Sequence, residues 1–406
     1  MKICYAAVDV ALPHYRGAST HVYEVAKHLA ILGNEVHVVA RRADSSEPKN
    51  AKLGEIEILR LYRGIVFSSK KSSFAAGSDS KGSYRGNSSR ITWKLYEIYL
   101  RTIFPFYAGI VIAFLVRREK IDVILERETS FGAGAVGSIL SRRPLVLEVI
   151  GNRVTRLQLW RARKIIAYSK SMFEGRVDDS KIEIVTAGVD TELFKPDEIS
   201  RKQIRARYSL EDREVIGFVG TFQEWHGVGE ILEASRLVLA SHPKAAFLMV
   251  GPYFNATEKK ARALGLPGSP FVFTGPVPYE KVPEYLSACD VLIAPYNPDK
   301  IESKEQVRKH PLGSPLKMFE YMATGKPVIT TSVEPMTAII EDRMTGLLIP
   351  PGDSRALAKA ILELLDNEDL SRRLGEDGKQ LVLRRYSWLG VVGRISSVLK
   401  DAAGHA

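Results

Sequence analysis

The sequence predicts an α/β protein made of two Rossmann-like domains, each with its own parallel sheet. Three observations predict it. Short apolar runs alternate with amphipathic helical stretches, the pattern of βαβ units and hence of parallel strands. The alternation restarts after residue 196, where Lys195-Pro196-Asp197-Glu198 follows the segment 186–194. The chain has 406 residues, room for two such units at ~100–200 residues per domain.

The elements follow in order. Residues 2–8 (KICYAAV) form an apolar first strand. Residues 19–32 form a helix with Val22, Val25, Ala26 and Leu29 on one face and Gly33 closing it. Residues 35–40 (EVHVVA) give the next strand, and 122–125, 145–149, 164–167 and 182–185 give four more. Beyond the boundary, strands are expected at 215–219, 246–250, 271–273, 291–293 and 328–330. Helices are expected at 229–241, 279–287, 315–323, 354–365 and 388–402. The domains are therefore 1–190 and 197–385, with a terminal helix, about 388–406, carrying Val391, Val392, Ile395 and Val398 at helical spacing.

Two stretches break the alternation. Residues 68–90 hold nine Ser, three Gly and five Lys/Arg against one Asp, the composition of a flexible basic loop with nothing to bury. The apolar run 103–116 (IFPFYAGIVIAFLV) is too short to span a ~30 Å hydrocarbon core as a helix. It reads as a buried helix or a membrane-surface element. The start of the chain, with one Lys and an early Asp9, carries no secretory pattern.

Composition excludes several classes. Hydrophobic residues at 45% and charged residues at 26% belong to a globular protein, not a disordered, collagenous or disulfide-built one. The two cysteines, Cys4 and Cys289, each lie in an apolar stretch, which suits a reducing cytoplasm and offers no metal spacing. Residues 1–190 hold 30 Lys/Arg and 19 Asp/Glu, while residues 191–406 hold 28 of each, so the whole net charge of +11 sits in the first half. Nucleic acid, an anionic membrane surface or a phosphorylated substrate would each answer such a field.

The densest chemistry lies in residues 310–331, HPLGSPLKMFEYMATGKPVITT. Ser314 reads as an N-cap and Pro315 as the first helical residue. The free amides near Leu316 and Lys317 then form the positive end of a helix, a geometry that binds phosphate, and Lys317 adds a cation. Glu320, three residues after Lys317, shares its face. A carboxylate there can accept both hydrogen bonds of a ribose diol. The spacing alone fits equally a capped surface helix with an incidental Glu. Gly220 and Gly227 flank a second loop where a phosphate can approach the backbone, and Gly17 repeats that logic before the first helix. His226, in that loop, reads as a phosphate ligand, donating a hydrogen bond or carrying a charge, or as a histidine packed on Trp225. Glu126, Arg127 and Glu148 fall at the carboxyl ends of strands, where open α/β sheets bind ligands. They read as orienting an acceptor hydroxyl or as salt-bridged rim residues. No Ser-His-Asp set or metal cluster stands out, and His14 and His21 are isolated.

FEYMATGKPVI resembles the second half of the Glu-x7-Glu signature of retaining nucleotide-sugar glycosyltransferases with the GT-B fold, the family-four group, with Glu320 at the second Glu. ALPHYRGAST, IVTAGVDTELFKP, VGTFQEWHGV, FVFTGPVPYEKVPEYLSACDVLIAP and TGLLIPPGDSRALAKAI resemble further family segments in the same order. The likeness spans most of the chain outside about 43–118. It departs at Leu312, where the first Glu would fall, and at Thr221 and His226, where the phosphate loop carries Arg and Lys. It departs also at Gly17-Ala18 in place of a double glycine, and near Ile150 in place of a histidine.

The resemblance implies a GT-B-like fold and a retaining, metal-independent transfer of a hexose from a nucleotide sugar. The donor site would comprise Gly17, Ala18, Gly220, Thr221, His226, Gly227, Gly313, Ser314, Pro315, Leu316, Lys317 and Glu320. Lys317, Glu320 and Glu148 would be catalytic, with Glu126, Arg127 and Glu148 toward the acceptor. No cofactor and no nucleic-acid partner is expected. The basic first half, loop 68–90 and the aromatic-rich stretch 91–116, flanked by Arg90 and by Arg117-Arg118, suit a saccharide or lipid-linked acceptor at the cytoplasmic face of an anionic membrane. They suit equally a buried helix beside a solubilising loop. The resemblance implies that the terminal helix crosses back onto the first domain. The rival readings are a nucleotide-sugar epimerase or hydrolase on the same fold, and a degraded transferase that only binds nucleotide sugar.

Overall fold

Strands that are apolar on both faces must be covered on both sides, and the first sheet is built that way. In the computed structural model β1 (Lys2–Ala11), β5 (Val123–Arg127) and β6 (Leu145–Val149) are buried almost throughout. They join β2 (Glu35–Arg41), β3 (Asn50–Leu53), β4 (Ile56–Leu61), β7 (Lys164–Ala167) and β8 (Ile182–Ile184) in an eight-stranded sheet ordered β3-β4-β2-β1-β5-β6-β7-β8. Only the β3–β4 pair is antiparallel. The structure describes residues 1–12, 17–42, 47–61, 99, 102–151, 154–173, 175–252, 270–301 and 316–404. The loop 68–90, His14, Leu312, Gly313, Ser314 and Pro315 lie outside the described residues.

The second sheet holds β9 (Glu214–Val219), β10 (Ala245–Val250), β11 (Phe271–Gly275), β12 (Val291–Ala294), β13 (Val328–Thr331) and β14 (Leu347–Ile349). Its order is β11-β10-β9-β12-β13-β14, parallel throughout. Each sheet therefore reverses its winding once, between β1 and β5 and between β9 and β12. Crevices open at the carboxyl ends of such neighbouring strands. Both functional regions below sit there.

The structure adds elements to those expected. The β3–β4 hairpin turns through Gly54-Glu55, with Gly54 at φ +60°. The apolar run 103–116 is helical, as expected, in helix Ile103–Arg118, and helices Ala133–Ser141, Arg156–Arg161, Glu198–Arg207 and Glu368–Arg385 also form. The expected 279–287 helix divides into a short turn, Tyr279–Lys281, and a helix, Val282–Ser287.

The last helix, Trp388–Ala403, leaves the second domain and packs against helix Gly17–Ile31 and strands β5, β6 and β7. Its start is tied down by Trp388 N–H donating to the Val189 carbonyl at 3.1 Å and Val189 N–H donating to the Tyr386 carbonyl at 2.9 Å. Trp388 itself is 1% exposed. One apolar cluster runs from Tyr5 and Val146 through Val189, Phe194 and Trp388 to Leu286 and Phe319. The two domains thus share a continuous core at the crossover.

Candidate functional site

The chain leaves β9 at Gly220, loops through Thr221–His226, and enters helix Val228–Ser241 at Gly227. Gly227 takes φ +75°, and a Cβ there would lie 1.7 Å from the Pro295 carbonyl oxygen. The neighbouring β12 exit alone requires glycine here. A Cβ on Gly220 would stand 2.7 Å from Lys317 Nζ, so Gly220 makes room for that ammonium.

Helix Leu316–Ala323 is clamped to β9 by its own Tyr321. Val219 N–H donates to the Tyr321 hydroxyl oxygen at 2.6 Å, and that hydroxyl donates to the Val219 carbonyl at 3.2 Å. Lys317 and Glu320 are thereby fixed over the β9/β12 crevice. Lys317 Nζ lies 5.1 Å from the Phe218 ring centre and 5.2 Å from that of Tyr296, within cation–π range. Its Nζ is buried and has no hydrogen-bond acceptor among the described residues. Burial pushes its pKa down to about 8, against the pull of Glu320. Glu320, 7% exposed, accepts from the Tyr279 hydroxyl at 2.9 Å. Burial raises its carboxyl to about 7, against the opposing influence of that hydrogen bond and of Lys317.

His226 lies tilted against Trp225, with ring centres 3.8 Å apart and planes 51° apart, and its Nδ1 contacts the Thr221 carbonyl. A carbonyl only accepts, so Nδ1 carries the proton and Nε2 presents a lone pair. Burial, then the neighbouring Lys317 charge, drive its pKa down to about 2. His226 is a neutral ring whose free nitrogen accepts. The expectation of a cation, or of a donor to phosphate, is corrected for the resting protein.

The first domain meets this region at its own helix start. A Cβ on Gly17 would sit 3.7 Å from Leu316 Cδ1, so the beginnings of helices Gly17–Ile31 and Leu316–Ala323 face each other. Gly17 and Ala18 are exposed there, as is Thr221 on the facing loop. Tyr279, the partner of Glu320, packs on Phe194 of the interdomain segment at 5.7 Å.

The carboxylates expected to face an acceptor are placed differently. Glu126 is fully buried and accepts from the amides of Gly132 at 3.0 Å and Ala135 at 2.8 Å. It caps helix Ala133–Ser141, and the acceptor assignment is corrected: both oxygens are committed within the fold. Glu148, 2% exposed, accepts from the Tyr5 hydroxyl and from His21 Nε2 at 2.8 Å. Burial alone would raise its carboxyl, but His21, Arg127 and Tyr5 outweigh burial and hold it below the usual carboxylate value. With the His21 ring edge-on to Trp388 at 5.5 Å, the pair anchors the crossover helix and is not an acceptor-facing catalyst.

Arg127 ends β5, beside β1. Its Nε and Nη1 are buried without acceptors, as is Oδ1 of Asp9 on β1. Sequence reasoning gave no role to Asp9, or to Glu128, which accepts from the Ile150 amide beside Gly151. Their one legible signal was position after a strand. Among the described residues, Glu35, His37 and Glu119 bring ligand-type atoms within 4.8 Å of one another. That trio lies at the amino end of β2, the sheet edge away from the crevice. Lys2 already pairs with Glu35 at 2.8 Å, and His37 with Glu57 at 3.2 Å. Surface hollows of 760 and 370 Å³ beside helix Glu368–Arg385 are lined by none of the site residues named above.

Residues 15–193 match the family model described as Glycosyltransferase Family 4, and residues 213–367 the model described as Glycosyl transferases group 1. The chain is 25% identical over 244 residues to a GDP-mannose-dependent alpha-(1-6)-phosphatidylinositol monomannoside mannosyltransferase of Mycobacterium tuberculosis, covering 59% of this chain and 62% of that protein. The match thus spans less than two thirds of that relative. Among solved structures, sucrose-phosphate synthase from Thermosynechococcus elongatus aligns over 100% of both chains with TM-score 0.71 and 19% identity. Anabaena HepE, in complex with UDP, aligns over 99% of this chain and 100% of its own with TM-score 0.70 and 16% identity. At these identities the structures speak for the fold. Two family models matched in order on the two sheets, together with that fold, carry the conclusion that the chain belongs to the GT-B glycosyltransferases of the family-four-like group.

Proposed function

We propose that this protein transfers a hexose, with retention, from a nucleotide sugar bound on the second domain to a saccharide or lipid-linked acceptor held by the first. One observation supports the donor site most: Lys317 keeps an ammonium buried without an acceptor among the described residues, at the mouth of the β9/β12 crevice beside a helix start. A buried cation without a partner is costly unless an anion completes it. A diphosphate there would take its charge from Lys317 and from the amides at the helix start. The same groups stabilise the negative charge that develops on the leaving diphosphate. Because protein groups supply that charge, the proposal assigns no metal to the step, and a chelator is expected to leave activity unchanged. Glu320 would accept from the ribose hydroxyls, and the His226 Nε2 lone pair from a donor hydroxyl.

The relative named for GDP-mannose and the neighbour crystallised with UDP leave the base to experiment. The acceptor side rests on Arg127 and Asp9 at the β1/β5 crevice and on the basic first half, which also suits attachment to the cytoplasmic face of an anionic membrane. No helix among the described residues is long and apolar enough to cross a membrane. The test is calorimetric titration with UDP-, ADP- and GDP-hexoses, followed by turnover with and without candidate acceptors. Acceptor-dependent release of nucleotide diphosphate supports the proposal. Acceptor-independent turnover would mark a hydrolase or epimerase, and binding without turnover a nucleotide-sugar-binding protein.

A further inference from the structure

Helix Ile103–Arg118 buries one face on the first sheet and leaves the other bare. Ile103, Phe106, Tyr107, Ile110 and Phe114 are 48–66% exposed. Their spacing of three, four and seven residues makes one stripe along the helix. The stripe continues onto its neighbours. Ile139 and Leu140 of helix Ala133–Ser141 are 41% and 39% exposed, and Trp160 of helix Arg156–Arg161 is 70% exposed. The first two helices are locked as one slab: a Cβ on Gly109 would fall 2.5 Å from Val136, and one on Gly137 2.5 Å from Ile112.

The three helices contain no Asp or Glu. Exposed arginines stand at their ends: Arg117 and Arg118, Arg142 and Arg143, and Arg156. We propose that this three-helix face docks on an anionic lipid bilayer, a placement that rests on the reading above of a membrane-attached transferase. The chemistry favours a bilayer over a second copy of this chain. Apolar and aromatic side chains enter the headgroup boundary while arginines reach lipid phosphates. Two copies meeting face to face would instead oppose two sets of arginines, and the carboxylate capping one helix end, Glu119, is already paired with Arg118 at 2.6 Å. Large apolar side chains exposed together on neighbouring packed helices mark an interaction site.

Three proteins are compared by co-sedimentation at ~50 mM salt, where charge screening is weak: wild type, the triple variant Phe106→Ser/Phe114→Ser/Trp160→Ser, and Leu237→Ser on an exposed apolar position of the second domain. Vesicles are of phosphatidylcholine alone or mixed equally with phosphatidylglycerol. Wild type and Leu237→Ser are expected to sediment with the anionic vesicles only, and the triple variant to bind them at least tenfold more weakly. Trp160 emission is expected to shift to the blue on binding, a shift absent in Trp160→Phe. All substituted side chains are exposed, and circular dichroism checks that the variants fold. The proposal is overturned by wild type that ignores anionic vesicles, or by a triple variant that binds like wild type. It is overturned equally by a wild-type dimer that the triple variant abolishes, which would make the face a contact between copies. Nucleotide-sugar affinity is measured on the same samples. Its absence would remove the transferase reading while leaving the vesicle result to stand or fall by itself.

Discussion

In the proposed donor site, Lys317 and Glu320 are the residues whose ionisation would govern donor binding. Glu320, raised to about 7, is protonated below that pH and then loses acceptor capacity for the ribose diol. Lys317, lowered to about 8, loses its charge above that pH. Donor affinity is therefore expected to peak between about pH 7 and 8 and fall on both sides. In Glu320→Gln the acid limb is expected to vanish and affinity to drop at least tenfold, since a charge-assisted hydrogen bond contributes ~1.5–3 kcal/mol. Titration calorimetry from acid to alkaline pH checks both. His226, neutral throughout that range, is expected to leave the limbs in place when replaced by Asn. Lys317→Met separates function from stability. It removes a buried ammonium without an acceptor among the described residues, so stability in denaturant is expected to rise by about 1–3 kcal/mol while diphosphate affinity falls at least tenfold.

At the scale of elements, the loop between β9 and its helix is held by packing. Gly227→Ala would drive a methyl into the Pro295 carbonyl at a backbone angle that disfavours any side chain. A loss of about 3 kcal/mol is expected from overpacking and left-handed strain together, read as a lower urea midpoint with unchanged slope. The helix carrying Lys317 and Glu320 is short, eight residues, and depends on its tether to β9. Tyr321→Phe removes both hydrogen bonds to the Val219 peptide. A cost of about 1–3 kcal/mol is expected, with weaker nucleotide-sugar binding and no change in charge. Retained affinity at reduced stability would show that packing alone positions the helix.

Across the whole molecule, the crossover helix is the mechanical link between the domains. Trp388 fills the space left by Gly188, where a Cβ would come within 2.8 Å of the indole, and meets His21 and His28 on the first domain. Truncating a buried Trp to Ala costs ~3–5 kcal/mol. In Trp388→Ala the loss is expected to fall first on the anchorage of the last helix. The unfolding transition then broadens or splits into two, seen by calorimetry.

The alternation of apolar runs and amphipathic helices, with its restart after residue 196, was enough to specify two parallel α/β units, because period and length are local properties of a chain. The placing of Lys317 and Glu320 on one helix was legible for the same reason. The β3–β4 hairpin was announced only by Leu53-Gly54-Glu55-Ile56 and an alternating Ile-Glu-Ile, too short a signal beside a long polar segment. Glu126 and Glu148 looked like acceptor ligands because strand ends are where ligands bind. Only the packed structure reveals that amides, a tyrosine hydroxyl and a histidine already occupy them. The protonation of His226 likewise depends on Thr221, Trp225 and Lys317 closing around it. Spacing along a chain fixes which side chains can share a face; desolvation and partner choice depend on what the fold brings against that face, and these set charge, availability and role.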